Sequence, residues 1–170
     1  MSMLDTMTRF FTGVKDERTA FNLRGICQPL IDRYSSVCTG SANLVIHTGG
    51  GSPVAMTGAT NSFQGIVKGI PVAIATSTDM PALVGSITAG SFNVFCFFID
   101  TASVVTVAMG TEGTTLAKVV FPPFPEGKAL VGYLVVTYAS QFVGGTTNLD
   151  TATTTYVSPT GAFDPQCLVG

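Results

Sequence analysis

The sequence predicts a mainly β fold, an antiparallel β-sandwich or jelly-roll-like barrel, carrying an N-terminal arm that contains a short helix. Three observations lead there. From residue 41 onward, short β-rich runs alternate with Gly, Asn, Ser and Pro punctuation. No convincing helical period lies between those runs. The first 40 residues differ in chemistry: Arg9, Lys15, Arg18, Arg24 and Arg33 fall there, and only Lys68, Lys118 and Lys128 follow. Residues 1–40 are therefore read as an arm or adaptor segment and 41–170 as the β-sandwich domain.

In the arm, Met3, Leu4, Met7, Phe10, Phe11 and Val14 recur at helical spacing. Ser2 or Asp5 suits the start and Gly13 the end, while Thr6, Thr8 and Thr12 weaken the helix. Pro29 breaks any later helix. The Phe, Met, Leu and Arg residues of this segment are types enriched at interfaces, so it either docks on a neighbour or packs on its own domain.

The β region opens with "NLVIHTG", a strand followed by the turn "GGGSP". "SPVAMTG", "FQGIVKG" and "IPVAIATSTDMPALVG" follow. "FNVFCFFID" is almost continuously apolar, the pattern of a strand buried on both faces. "DTAS" turns it into the return strand "VVTVAM", and "GTEG" turns again. "LVGYLVVTY" and "TATTTYVSP" complete the set, with Thr chosen for β-propensity on solvent faces. Between them "FPPFPEGK" must be a connection, because Pro122, Pro123 and Pro125 cannot donate to a central ladder. Its prolines fix φ and restrict the unfolded loop. Phe121 and Phe124 are expected to fill a gap at the rim.

Charge is sparse. The 170 residues hold 8 basic and 10 acidic side chains, 11% in all, where about 42 charges would be ordinary. Spread over about 7,900 Å² of monomer surface, they leave most of it neutral. Near-neutral surfaces associate, so much of this one is expected to be covered by other protein. The alternative is a surface solvated by its Thr and Ser hydroxyls. A net charge of −2 leaves no electrostatic footprint for nucleic acid. No apolar run is long enough to span a bilayer, and "MSMLDTMTRFF" lacks a secretory h-region, which predicts synthesis in a reducing cytoplasm. Cys27, Cys38, Cys96 and Cys167 form no CxxC pair. Cys96 reads as a small buried hydrophobe, and a Cys27–Cys38 disulfide is disfavoured in a cytoplasmic product.

Chemistry-bearing patterns are weak. His47 is the single histidine, and a Ser-His-Asp site would have to use it as base; a lone His at a strand end is more often structural. "HTGGGSP" lacks the Lys of a phosphate loop and the helix that should follow. The carboxylates are scattered, and no clustered metal-ligand set is apparent. No catalytic, cofactor-binding or metal residues are assigned. The expectation is a protein that is not an enzyme and needs no cofactor.

Three stretches nevertheless carry a pattern: "GSFNVFCFFIDTASVVTVAMGTEG", "FPPFPEGKALVGYLVVT" and "FVGGTTNLDTATTTY", together most of residues 90 to 156. This succession of an aromatic strand, a turn, a short strand, a proline-rich turn and a Val-rich strand resembles a group of tailed-bacteriophage virion proteins. The resemblance implies a β-rich module, often assembled as a trimer around a symmetry axis of the particle, and brings no catalytic residues with it.

The expected function is therefore that of a virion structural protein made in the host cytoplasm: a capsid decoration, or cement, protein bridging neighbouring shell subunits. Its expected partners are its own copies, as a homotrimer, and the major capsid protein or another virion protein, with no nucleic acid and no membrane. Phe10, Phe11, Arg18, Phe21 and Arg24 are the expected assembly contacts. The alternative is a tail, baseplate or fibre component with a host-binding role, recognition falling to loops such as "TGGGSP" and "VGGTTN". A hydrolase of cell-surface polysaccharide is the third reading.

Overall fold

The computed structural model describes residues 35–47 and 49–161. The expected helix and the contacts Phe10, Phe11, Arg18, Phe21 and Arg24 lie outside the described residues. Within them the chain is mainly β and wholly antiparallel in its pairings. Its strands are β1 (Val37–Gly40), β2 (Val45–Ile46), β3 (Ala55–Met56), β4 (Phe63–Val67), β5 (Ile70–Ile74), β6 (Ser86–Ile87), β7 (Phe92–Ile99), β8 (Val105–Met109), β9 (Ala129–Thr137), β10 (Phe142–Val143) and β11 (Thr153–Val157). The β architecture already includes Val37–Gly40, at the end of the segment read as an arm.

Four strands in the order β11-β9-β7-β8 make the largest sheet, and β1-β4-β5 make a second. Two short ribbons, β2-β3 and β10-β6, complete the set. The sheets stay open, with β11 and β8 at the edges of the larger one, so of the two expected forms, sandwich or jelly-roll-like barrel, no closed barrel is formed among the described residues. Both sheets feed one core. Cys38, Phe63, Val67, Val72 and Ile74 from the smaller sheet meet Phe95, Phe97, Ile99, Val131, Leu134 and Val136 from the larger.

The strand β7 is buried on both faces, as its apolar run predicts. Its second face holds Val94, Cys96 and Phe98, joined by Leu130 and Tyr133 of β9. Among the described residues no second sheet covers that face. The segment after β8 does so instead. Phe124 meets Phe98 edge-on at 5.1 Å and Phe121 meets Tyr133 at 5.2 Å, with Val119 alongside. The two phenylalanines therefore do not fill a rim gap. They lie across the sheet, because the apolar face of an open sheet must be removed from water by some part of the chain. A 3-10 turn, Leu116–Lys118, unforeseen in the sequence, bends the segment back. Its ends are fastened by reciprocal backbone bonds between Thr111 and Val120 and between Gly113 and Phe92.

One irregularity keeps the two faces consistent. The β7–β9 register shifts between Phe97 and Phe98, pairing Phe97 with Gly132 and Phe98 with Leu130, so that Val131 is the extra residue of a β-bulge. Ala129 and Val131 face the main core before the bulge, Leu134 and Val136 after it. At the bulge the backbone runs close to its neighbours. A Cβ on Gly132 would lie 2.6 Å from Leu44 Cδ1 and 2.7 Å from the Val157 carbonyl oxygen.

Turns follow local chemistry. Lys68 and Gly69 both have positive φ, giving the two-residue hairpin turn that matches strand twist. Asp100 Oδ1 accepts the amides of Ala102 and Val104 at 2.9 and 3.0 Å, closing the β7–β8 turn. The buried polar side chains are satisfied: Thr57 Oγ1 donates to the Ala75 carbonyl and accepts from the Thr78 amide, while Asn93 bonds the Gly110 carbonyl and the Val94 amide.

Candidate functional site

The two loops that carry recognition in the host-binding reading, 48–53 and 143–148, are far apart in sequence and adjacent in space. Gly49, Gly50 and Gly51 all have positive φ, a sequence of conformations that only glycine adopts without strain. This lets the chain double back: the Gly50 amide donates to the His47 carbonyl at 3.3 Å, and the His47 amide donates to the Val54 carbonyl at 3.0 Å. The tip is then held from the other loop. Asp150 Oδ2 accepts the Gly51 amide at 2.7 Å, and the Leu149 amide donates to the Ser52 carbonyl at 2.9 Å. On that side the Thr146 and Thr147 amides return to the Val143 carbonyl, and the Thr147 hydroxyl accepts the Val143 amide. The buried Leu149 side chain anchors the junction in the main core.

His47 sits beside this junction. Its Nδ1 donates to Asp79 Oδ1 across 2.6 Å, and both side chains are about half-exposed. Asp79 is placed by its bridge to Met56 of β3, whose partner strand β2 leads directly into His47. His47, solitary in the sequence, is oriented by a carboxylate 32 positions away. Among the described residues no hydrogen bond is formed between the imidazole and a Ser, Thr or Cys side chain, the contact by which a triad histidine activates its nucleophile. Among the described residues there is also no group of three His, Cys, Asp or Glu placed to hold a metal.

What the surface presents is a patch of exposed polar groups: the His47–Asp79 pair, Asp150 and the backbone of a glycine loop. Asp150 also raises the phenol of Tyr156 above its ordinary range, after the larger effect of burial. A similar fastening occurs at the same end of the large sheet. Glu112 accepts the Thr88 amide at 2.9 Å and its hydroxyl at 2.8 Å, which holds the carboxyl below the usual glutamate range. The thiols are unlike a reactive site: Cys38 and Cys96 are free and buried, and burial raises both. Cys27, the other half of the disulfide weighed from the sequence, lies outside the described residues.

The signal for the loop junction was weak. "GGG" marked a turn, but nothing in either stretch identified Asp150 as the acceptor for Gly51, 99 positions distant. No helix among the described residues is long and apolar enough to cross a membrane. Comparison with protein-family models, with curated proteins and with solved structures gave no significant match.

Proposed function

We propose that the chain is a non-enzymatic structural protein of a phage virion, acting as a capsid decoration protein that bridges neighbouring shell subunits. The observation that carries this reading is the succession of stretches over residues 90 to 156. They form a single physical unit: β7, β8, the proline-rich cover, β9 and β11. A sandwich module of this kind would stand on the particle, with copies grouped as a homotrimer around a symmetry axis and the major capsid protein beneath. Its action would be passive. Binding to the assembled shell and not to dissociated subunits stabilises the shell by mass action. The sparse charge supports a surface meant for contact, and Phe10, Phe11, Arg18, Phe21 and Arg24 are the proposed docking residues.

Co-sedimentation with undecorated shells tests the reading. The full chain should pellet with shells and raise their melting temperature. A chain lacking residues 1–20 should remain folded and stay in the supernatant. Failure of the full chain to bind shells would overturn the decoration role, and undiminished binding by the truncated chain would overturn the role of the arm.

The loop junction favours a second reading, a tail, baseplate or fibre component that binds the host. Carboxylates and an imidazole suit a ligand rich in hydroxyls. Binding of the isolated chain to host cells, weakened by Asp150→Ala and absent for shells, would select this reading over the first.

A further inference from the structure

An open sheet leaves a row of unpaired amides and carbonyls at each edge, and proteins that remain apart blunt such rows with proline, charge or a covering segment. The smaller sheet follows this rule on both sides. In the hairpin of β4 and β5, Val67 and Ile70 form the pair next to the two-residue turn, so Ile70, Val72 and Ile74 bond inward. Pro71 then faces outward, where its missing N–H costs the ladder nothing and denies a donor to any incoming strand. On the other side Gly161 covers β1, its amide donating to the Cys38 carbonyl at 2.7 Å. In the larger sheet the end of β11 is closed: the Ser41 hydroxyl donates to the Ser158 carbonyl, and the Leu44 amide donates to the Ser158 hydroxyl.

The edge strand β8 has no proline and, among the described residues, no covering strand; the one charge beside it is the Lys128 ammonium, which donates to the Thr106 hydroxyl at 2.9 Å and leaves the outward backbone groups unpaired. Bonds from the Gly110 amide to the Val94 carbonyl and from the Asp100 amide to the Val104 carbonyl fix its phase. By alternation Thr106 and Ala108 bond to β7, and Val105, Val107 and Met109 turn their backbone groups outward. Among the described residues nothing pairs with them. The strand reads VTVAM, without charge or proline, and every residue is half-buried. Exposed valines flank it. Val104, 53% exposed, precedes the strand, and Val84, 69% exposed, adjoins Gly85, which lies against the Met109 side chain.

We propose that β8 is the surface through which two copies of this chain join, edge to edge and antiparallel, about a two-fold axis at Val107. The strand is its own complement. Val105 of one copy faces Met109 of the other, Val107 faces Val107, and Thr106 faces Ala108. The outward groups of each copy meet those of the other and form about six backbone hydrogen bonds, two for each of three bonded pairs. No like charges oppose one another, and the larger side chains all lie on the face that continues the main core. The result is one sheet running through both molecules. This contact does not depend on the decoration reading; where copies also group in threes, it joins two such groups.

Light scattering of the full chain, from micromolar to submillimolar concentration, tests the proposal together with Val107→Pro. That variant removes the central outward donors while leaving the ladder to β7 intact, as Pro71 does in β5. The expected result is an assembly with an even number of copies whose mass halves in the variant. A chain monomeric throughout the range overturns the proposal, as does an assembly whose mass the variant leaves unchanged. So does an odd-numbered assembly, even one that the variant breaks, because its contact cannot be the two-fold pairing. Amide exchange of the unaltered chain provides a measurement independent of whether the variant folds. The amides of Val105, Val107 and Met109 should be slowed at least ten-fold at high concentration and released on dilution; rates that ignore concentration overturn the pairing.

Discussion

The two faces of the large sheet are buried by different means. The inner face meets a second sheet, with Phe95, Phe97 and Ile99 set among side chains from β1, β4 and β5. Among the described residues the outer face meets one segment of irregular backbone, fastened by backbone bonds and laying two aromatic rings on the strands. Sheet against sheet distributes burial over many residues. The outer cover concentrates it on a few, and prolines do for that segment what cross-strand bonds do for a sheet: they limit the conformations it can reach when released. Apolar surface can thus be removed from water with very different dependence on single side chains.

That contrast can be broken most directly at Phe97, fully buried on the inner face. Phe97→Ala should lower stability by about 3–5 kcal/mol in urea unfolding; a loss below about 1 kcal/mol would mean the two sheets collapse onto the gap. Gly132→Ala should come next. Its methyl group would press on Leu44 and the Val157 carbonyl, and the bulge that keeps both faces in register should lose about 1–3 kcal/mol by the same assay. Phe124→Ala tests the outer cover. The residue is 38% exposed, so the cost should be only about 1 kcal/mol, with faster amide exchange confined to residues 111–128. Spread of that exchange to β9 would show the two faces to be one cooperative unit.

The smallest effect concerns the Glu112–Thr88 fastening. Its carboxyl is held below the ordinary glutamate range, so the fastening is fully present above that range and is lost as pH falls through the lowered value. The Thr88 amide resonance should follow a single acid titration, absent in Glu112→Gln. A midpoint at or above the ordinary glutamate value would contradict the geometry.

Much of this arrangement was legible from sequence where the signal is local. The unbroken apolar run of β7 announced burial on both faces, Asp100 announced its turn, and three prolines announced a connection. The bulge was hidden by the same property that made β9 conspicuous. "ALVGYLVVT" has no alternation to lose, because both faces are apolar, and an inserted residue therefore leaves no mark. The destination of Phe121 and Phe124 was hidden because a loop carries no periodicity to say which surface it crosses. "NLVIHTG" contributed only Val45–Ile46 as strand, since Leu44 before it is tied to the Ser158 hydroxyl and His47 after it opens the glycine loop. The His47–Asp79 pair and the Gly51–Asp150 bond are products of topology, joining residues whose own neighbourhoods are silent about each other.

The outer cover also equips the molecule with a clock. Cys96 lies on the covered face, fully buried, with its thiol raised by desolvation. A thiol reagent can reach it only when the cover lifts or the sheet separates. The rate at which Cys96 is labelled in the native protein therefore counts openings of that face, while Cys38, in the core between the sheets, counts those of the other. Two cysteines, one on each side of the same sheet, time the two faces independently without any added probe.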